Sequence, residues 1–214
     1  MFAPEGMLFI LMPLLFLIAA LFLSWKFRKV GLYVLTACLL LITVSMLFFF
    51  RDPDRPLPEP DKIVAPVDGT VVEITENDSG DVHIAVFLSV FNVHAVRSPI
   101  QSKVLLNMFV EGEFQLAYKP EASRVNQHVF LELDTDYGLT MLKVISGAVA
   151  RRVLVYPEAG DSLLPGEKIG FVRFGSRCEM DFPRGFETKI EVGDCLTGGV
   201  TEIGSFTILE SKNE

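Results

Sequence analysis

The sequence predicts a mainly β protein: an antiparallel β-sandwich or barrel-like domain preceded by an N-terminal two-helix hydrophobic membrane hairpin. Three observations lead there. Two uncharged apolar runs, 7–23 and 30–50, occupy the first quarter of the 214 residues. A proline-rich stretch, 51–60, follows them. From Asp61 onward, short apolar segments alternate with turn signals roughly every ten residues, the spacing of an antiparallel β fold.

At about 1.5 Å per residue, the first run reaches roughly 26 Å and the second about 31 Å, against a hydrocarbon core of ~30 Å. Between them, SWKFRK (24–29) supplies an interfacial Trp25 and three basic residues suited to anionic head groups. A cleaved signal peptide would begin with basic residues and would not be followed by a second, longer apolar run. Residues 1–50 therefore read as a retained helical hairpin, and the protein as membrane-bound. The positive-inside rule puts the basic turn in the cytoplasm and the rest of the chain outside. A re-entrant first segment, short and holding Pro13, would cancel that inference, so the residues leave the membrane face open. RDPDRPLPEP (51–60), with four prolines, reads as a stiff spacer of about 3.1 Å per residue.

Composition narrows the function classes. Half of the chain is apolar, 21% is charged, and the mean hydropathy is +0.40. These values exclude a disordered or collagen-like chain. The net charge is −8; residues 1–50 carry +2, which leaves −10 for the remainder. An acidic body of this kind excludes broad nucleic-acid binding. Cys38, Cys178 and Cys195 are too widely spaced for a disulfide framework or a zinc cluster, so no metal site is expected, and Cys38 reads as a small buried side chain. The body, 61–214, offers strand candidates at 62–65, 70–74, 82–91, 103–110, 128–133, 139–156, 168–174, 177–182 and 188–192, with short helices conceivable around 89–96 or 121–127.

Few residues carry chemistry. His83 and His128 lie in alternating strand patterns and read as structural. His94, at the end of an apolar strand in FNVHAVRSP (91–99), is a candidate acid/base. Asp68 lies in APVDGT (65–70), a hairpin turn whose string also occurs in biotinyl and lipoyl carrier domains; no lysine stands at a hairpin tip here, and Lys119 is followed by Pro120. In FVRFGSRCE (171–179), Gly175-Ser176 sits between two strand patterns. That is either a plain β-bulge or a strained junction at which the Ser176 hydroxyl attacks the preceding carbonyl, an N→O acyl shift.

FVRFGSRCEMDFP (171–183), preceded by LPGEKIG (164–170), closely resembles the maturation site of the short, archaeal and bacterial type of phosphatidylserine decarboxylase proenzyme. Further blocks follow the family's order: APVDGTV (65–71), FLSVFNVHAVRSPI (87–100), EGEFQLAYKPEAS (111–123) and VISGAVARR (144–152). The resemblance spans residues 60–205 and the paired apolar segment before them. Two features depart from it. Residues 124–128 lack the expected acidic-basic run, and Arg97 stands where longer relatives have a second histidine, so a two-histidine mechanism is not carried over.

The resemblance implies self-cleavage between Gly175 and Ser176 through an ester and β-elimination, with Ser176 ending as a covalent pyruvoyl cofactor. A β chain (1–175) and an α chain (176–214) would remain associated as a heterodimer. The pyruvoyl ketone would form a Schiff base with the amine of phosphatidylserine in the bilayer, giving phosphatidylethanolamine and CO2. It further implies that Gly175 supplies the attacked carbonyl and that His94 is an acid/base. Asp68 would orient His94 or act on Ser176. Arg97, Arg173 and Arg177 are candidates to meet the lipid phosphate or carboxylate, although surface charge is the simpler reading of any one of them. The family points to the cytoplasmic face of the cell membrane, and a higher oligomer is left open. Two alternatives remain on the residues themselves: a membrane-anchored carrier or adaptor without catalysis, and a membrane serine hydrolase using Ser176, His94 and Asp68.

Overall fold

Each apolar run forms one helix, α1 (Met7–Phe27) and α2 (Val30–Phe49), after a 3-10 turn at Pro4–Gly6. The computed structural model describes residues 1–115, 122–147, 153–173 and 176–206, and the chain divides into two compact units, Met1–Asp54 and Arg55–Glu214. Arg28 ends α1 in the left-handed conformation (φ 50°), its N–H donating to the Ser24 carbonyl at 3.0 Å, and the chain reverses into α2. The helices meet through small polar side chains, with Ser24 Oγ 2.9 Å from Thr36 Oγ1. At the open end Gly6 lies against the Phe50 ring, where a Cβ would fall 2.1 Å from Phe50 Cγ.

Both helices are long and apolar enough to cross a bilayer, and only 22% and 11% of their most apolar stretches are buried. A core helix of a soluble domain would be covered. Here Leu8, Leu15, Phe16, Ile18, Phe22 and Leu41 point outward, an apolar surface that suits lipid and not water. Cys38 belongs to that outer surface, contrary to the buried position expected of it.

The second unit is built of β1 (Ile63–Val64), β2 (Gly69–Glu76), β3 (Val82–Leu88), β4 (Ala95–Arg97), β5 (Ser102–Val110), β6 (His128–Thr135), β7 (Gly138–Ser146), β8 (Val153–Val155), β9 (Ser162–Leu163), β10 (Lys168–Val172), β11 (Ser176–Phe182), β12 (Phe186–Thr188), β13 (Cys195–Leu196) and β14 (Glu202–Phe206), with one short helix, α3 (Ala122–Val125), before β6. The main sheet is an eight-stranded antiparallel half-barrel in the order β13-β2-β3-β11-β7-β6-β5-β9. Two three-stranded sheets, β1-β14-β12 and β4-β10-β8, complete the unit. The mainly β reading therefore holds.

Alternation decides which residues fill the core. Along β11, Ser176, Cys178, Met180 and Phe182 face inward and are fully buried, joined by Ile84, Val86 and Leu88 of β3 and Leu142 and Val144 of β7. Arg177, Glu179 and Asp181 take the opposite face. One β-bulge breaks the rhythm usefully. Val71 pairs with Val86 but Glu73 pairs with Ala85, so the extra residue Val72 turns Glu73 away from the core and keeps Ile74 in it.

Several sequence-based bounds need correction. The 82–91 candidate stops at Leu88, because Asn92 Oδ1 accepts from Ser89 N–H and Ser89 Oγ and folds the chain into a turn. The 89–96 helix is thus a turn followed by β4. The 139–156 candidate is two strands, with 148–152 outside the described residues. Most of 188–192 is irregular. The spacer is not isolated either: Arg55 bonds Asp68, and the Pro58 ring lies where a Cβ on Gly166 would be 2.6 Å from it.

Gly170 in β10 allows close approach of β8, since a Cβ there would sit 2.3 Å from the Leu154 carbonyl oxygen. Gly170→Ala should destabilise by about 1–3 kcal/mol and lower the apparent Tm of detergent-solubilised protein by a few degrees. An unchanged Tm would mean that the two strands separate freely.

Candidate active site

Ser176 opens β11, the strand with three neighbours on its β2 side and four on its β7 side in the main sheet. It pairs with Leu88 and Ser146, and the alternation of β11 sends its side chain into the core. Its residue exposure is 0%, and Oγ has no hydrogen-bond partner among the described residues. Leaving a buried hydroxyl unsatisfied costs about 1–3 kcal/mol, a penalty that a reactive position justifies better than a packing one. The other such hydroxyl among the described residues, Thr140 Oγ1, lies within β7. Gly175, the other half of the expected cleavage site, falls outside the described residues. Cys178, two positions on, is no competing nucleophile: burial pushes its thiol pKa far up and keeps it protonated.

His94 approaches this end of the sheet from two directions. It follows the turn that leaves Leu88, the partner of Ser176, and its carbonyl accepts from Val172 N–H at 2.9 Å. Val172 precedes Ser176 by four residues, at most roughly 14 Å of chain. The ring is fully buried, with its centroid 6.5 Å from that of Phe171. Nδ1 lies 2.9 Å from the Asn92 carbonyl oxygen, so Nδ1 carries the proton and, in the neutral ring, Nε2 is the basic nitrogen.

Asp68 reaches the same end, directly before β2, but with different partners. Arg55 donates to both of its oxygens, at 2.6 and 3.0 Å, and Gly198 N–H donates to Oδ1 at 2.8 Å. Arg55 Nη1 also bonds the Gly198 carbonyl. These contacts make Asp68 the tie between the spacer, the β1–β2 turn and the loop after β13, and neither His94 nor Ser176 is among its partners in the described residues.

The arginines divide as well. Arg97 is buried, with Nη1 donating to the Gly166 carbonyl at 2.9 Å, and it packs beside Gly199, where a Cβ would be 2.7 Å from its Cδ. Arg173, half-buried directly after β10, is the last cation before the 175/176 junction. Arg177 is already engaged by two carboxylates of the protein itself. Its Nε donates to Glu179 Oε1 and its Nη2 to Glu73 Oε2, each at 2.6 Å, and its side chain is 4% exposed. Those two ion pairs, and not a surface position, account for this arginine within the described residues. The sequence also gave no warning of Asn126, which is 1% exposed and donates through Nδ2 to the carbonyls of Ser146 and Gln115, bracing the strand beside Ser176. No group of acidic, histidine or cysteine side chains among the described residues could hold a metal ion.

Ser176 and His94 are thus both fully buried, and the chain links them through Leu88, the ladder partner of Ser176, and Val172, the hydrogen-bond partner of His94. A family model described as phosphatidylserine decarboxylase matches residues 42–204. The chain belongs to the phosphatidylserine decarboxylase family. Similar curated relatives are the phosphatidylserine decarboxylase proenzymes of Geotalea uraniireducens (33% identical, covering 94% of this chain and 95% of the relative) and of Trichlorobacter lovleyi (38% identical, 82% and 83%). A third, from Streptomyces coelicolor, is 38% identical over 76% of this chain and 73% of its own. Membership in this family of carboxy-lyases disposes of the non-catalytic carrier reading.

The other two histidines of this family member are tied by their Nδ1 atoms, His128 to the Asn126 carbonyl at 2.9 Å and His83 to Asp181 at 2.6 Å. The hydrogen bond to Asp181 raises the His83 pKa above its ordinary 6.5, against the opposing effect of burial. A raised folded-state value stabilises the fold fully below pH 6.5, and that contribution disappears as the pH rises through it. Denaturant titrations over this range should show the loss in the parent chain and not in His83→Gln. An identical pH dependence in both would dismiss the pair.

Proposed function

We propose that this chain is a self-processing decarboxylase that converts phosphatidylserine to phosphatidylethanolamine and CO2, using a pyruvoyl group made from its own Ser176. The observation that carries this reading is the buried Ser176 hydroxyl at the start of β11, without a partner among the described residues, in a chain whose relatives are named proenzymes. Oγ attacks the Gly175 carbonyl carbon, the C–N bond breaks, and Gly175 and Ser176 are joined by an ester. Loss of the Cα proton of residue 176 expels the Gly175 carboxylate and leaves a C=C bond, which water converts to a ketone with release of ammonia. The products are 1–175 and 176–214.

The residues present suit such a group. Position 176 is enclosed by the apolar neighbours Leu88 and Cys178 and by two strands that hold its main chain. When formed, the pyruvoyl group supplies a ketone that condenses with the lipid amine and accepts the electron pair released as CO2 departs. His94 is the proton carrier in this reading, with Nδ1–H fixed by the Asn92 carbonyl and Nε2 the nitrogen that takes up and returns a proton. The water-poor surroundings of position 176 raise the energy of a carboxylate brought there relative to neutral CO2. Arg173 is the cation assigned to the lipid head group. The apolar hairpin keeps the enzyme in the membrane that contains its substrate, with the β unit on the cytoplasmic face; a reporter fused after Glu214 that works only in the periplasm would reverse that side.

Denaturing mass spectrometry tests the chemistry. The parent should give two fragments, with 176–214 lighter by one ammonia than a peptide beginning with serine. Ser176→Ala should remain one folded, inactive chain, because no hydroxyl starts the acyl shift. Cleavage of that variant would remove Ser176 from the mechanism. His94→Ala should slow processing, turnover or both by about 100-fold or more; full activity would make His94 structural.

A further inference from the structure

We propose that Glu73 is a positioning residue for the reacting end of β11, acting through Arg177; the inference rests on the self-processing reading above. Cleavage before Ser176 turns an internal strand residue into a chain end. Chain ends fray unless something ties them down, and catalysis by a group at position 176 needs that position held still. The ladder gives Ser176 its partners Leu88 and Ser146, but the next side chain supplies a tie of another kind.

Arg177 lies across the outer face of the sheet. Its Nε bonds Glu179 Oε1 on its own strand, and its Nη2 reaches Glu73 Oε2 on β2, both at 2.6 Å. Strands β2 and β11 are separated by β3, a span of roughly 9.5 Å. Ala85, the β3 residue paired with both Glu73 and Glu179, is small enough to let the guanidinium pass over it. Glu73 is on this face only because of the bulge at Val72. Plain alternation from Val71 would have put its carboxylate in the core. Glu179 is held in turn by Ser123 Oγ at 2.7 Å and by Lys143 Nζ at 3.8 Å.

These side chains form a neutral row, Glu73, Arg177, Glu179 and Lys143, that crosses the proposed cut. Arg177 and Glu179 belong to fragment 176–214, whereas Glu73, Lys143 and Ser123 belong to 1–175. Arg177 and Glu179 are buried, so their charge-assisted bonds are directional and weakly screened. Glu73 differs from the others, being 41% exposed at its side chain, so its removal opens no large cavity and leaves Arg177 one carboxylate. What it contributes specifically is the cross-strand anchor of the residue next to position 176.

The test uses full-length chains in detergent: the parent, Glu73→Ala, Glu73→Gln and Glu73→Asp. All should be cleaved, with the ammonia-deficient 176–214 fragment in the mass spectrum. In Glu73→Ala, hydrogen exchange at the first amides of that fragment should quicken by about tenfold while peptides from β6 stay unchanged, and kcat should fall about tenfold at constant KM. Glu73→Asp, which keeps the charge, should restore part of both effects. Glu73→Gln, of equal size, repeats the comparison should alanine prevent folding. Parent-like exchange and kcat in the alanine and glutamine variants would overturn the inference. So would faster exchange throughout the sheet with a lower Tm, which would make Glu73 a general stability residue. Failure of the parent itself to cleave would overturn the self-processing reading, and this inference with it.

Discussion

The placement of β11 between β3 and β7 governs most of what this protein can do. An interior strand is held on both sides by backbone hydrogen bonds and below by the core, so its geometry does not depend on covalent continuity with the residue before it. A reactive junction at the beginning of such a strand can be opened with little loss of architecture. At an edge, the same break would release half of the restraints. The inward direction of Ser176 follows from the same placement, because the strand that buries Cys178, Met180 and Phe182 must bury position 176 as well.

The sheet has two faces with different duties. Its inner face is mostly apolar and, among the described residues, buries two hydroxyls without a partner, those of Thr140 and Ser176. Its outer face carries ionised residues balanced against one another, which keeps buried charge tolerable and leaves no strong field over the strand. The enzyme's helical hairpin has no such division. It is apolar almost all round, as a segment solvated by lipid should be.

Much of this was legible in the sequence, for identifiable reasons. The hairpin is uninterrupted apolar chain, and β2, β3, β5, β6, β7 and β11 are long enough for a period of two to register. The strands β4, β9 and β13, of two or three residues, contain no full period and are defined only by their partners. Val90 and Phe91 read as strand because they are apolar; the capping by Asn92 depends on a turn geometry that composition does not reveal. At the site, Ser176 and His94 stood out through odd local context and family resemblance. The partners of Asp68 and Arg177 did not, since Arg55 lay in an apparent spacer and Glu73 is 104 residues from Arg177 on a strand whose facing is set by a bulge.

The strands of 176–214 are not a detachable lobe. β11 lies inside the main sheet, β13 extends it beside β2, and β14 sits between β1 and β12. The precursor folds as a single chain, with its segments at high effective concentration. After scission the same architecture would have to be recovered from two molecules that meet by diffusion, one of them too small to hold a core by itself. The proposed cleavage would therefore erase the folding route by which the chain was made. The two-chain form would then owe its persistence to slow unfolding, and a dilute sample that had once unfolded would have no unimolecular way back.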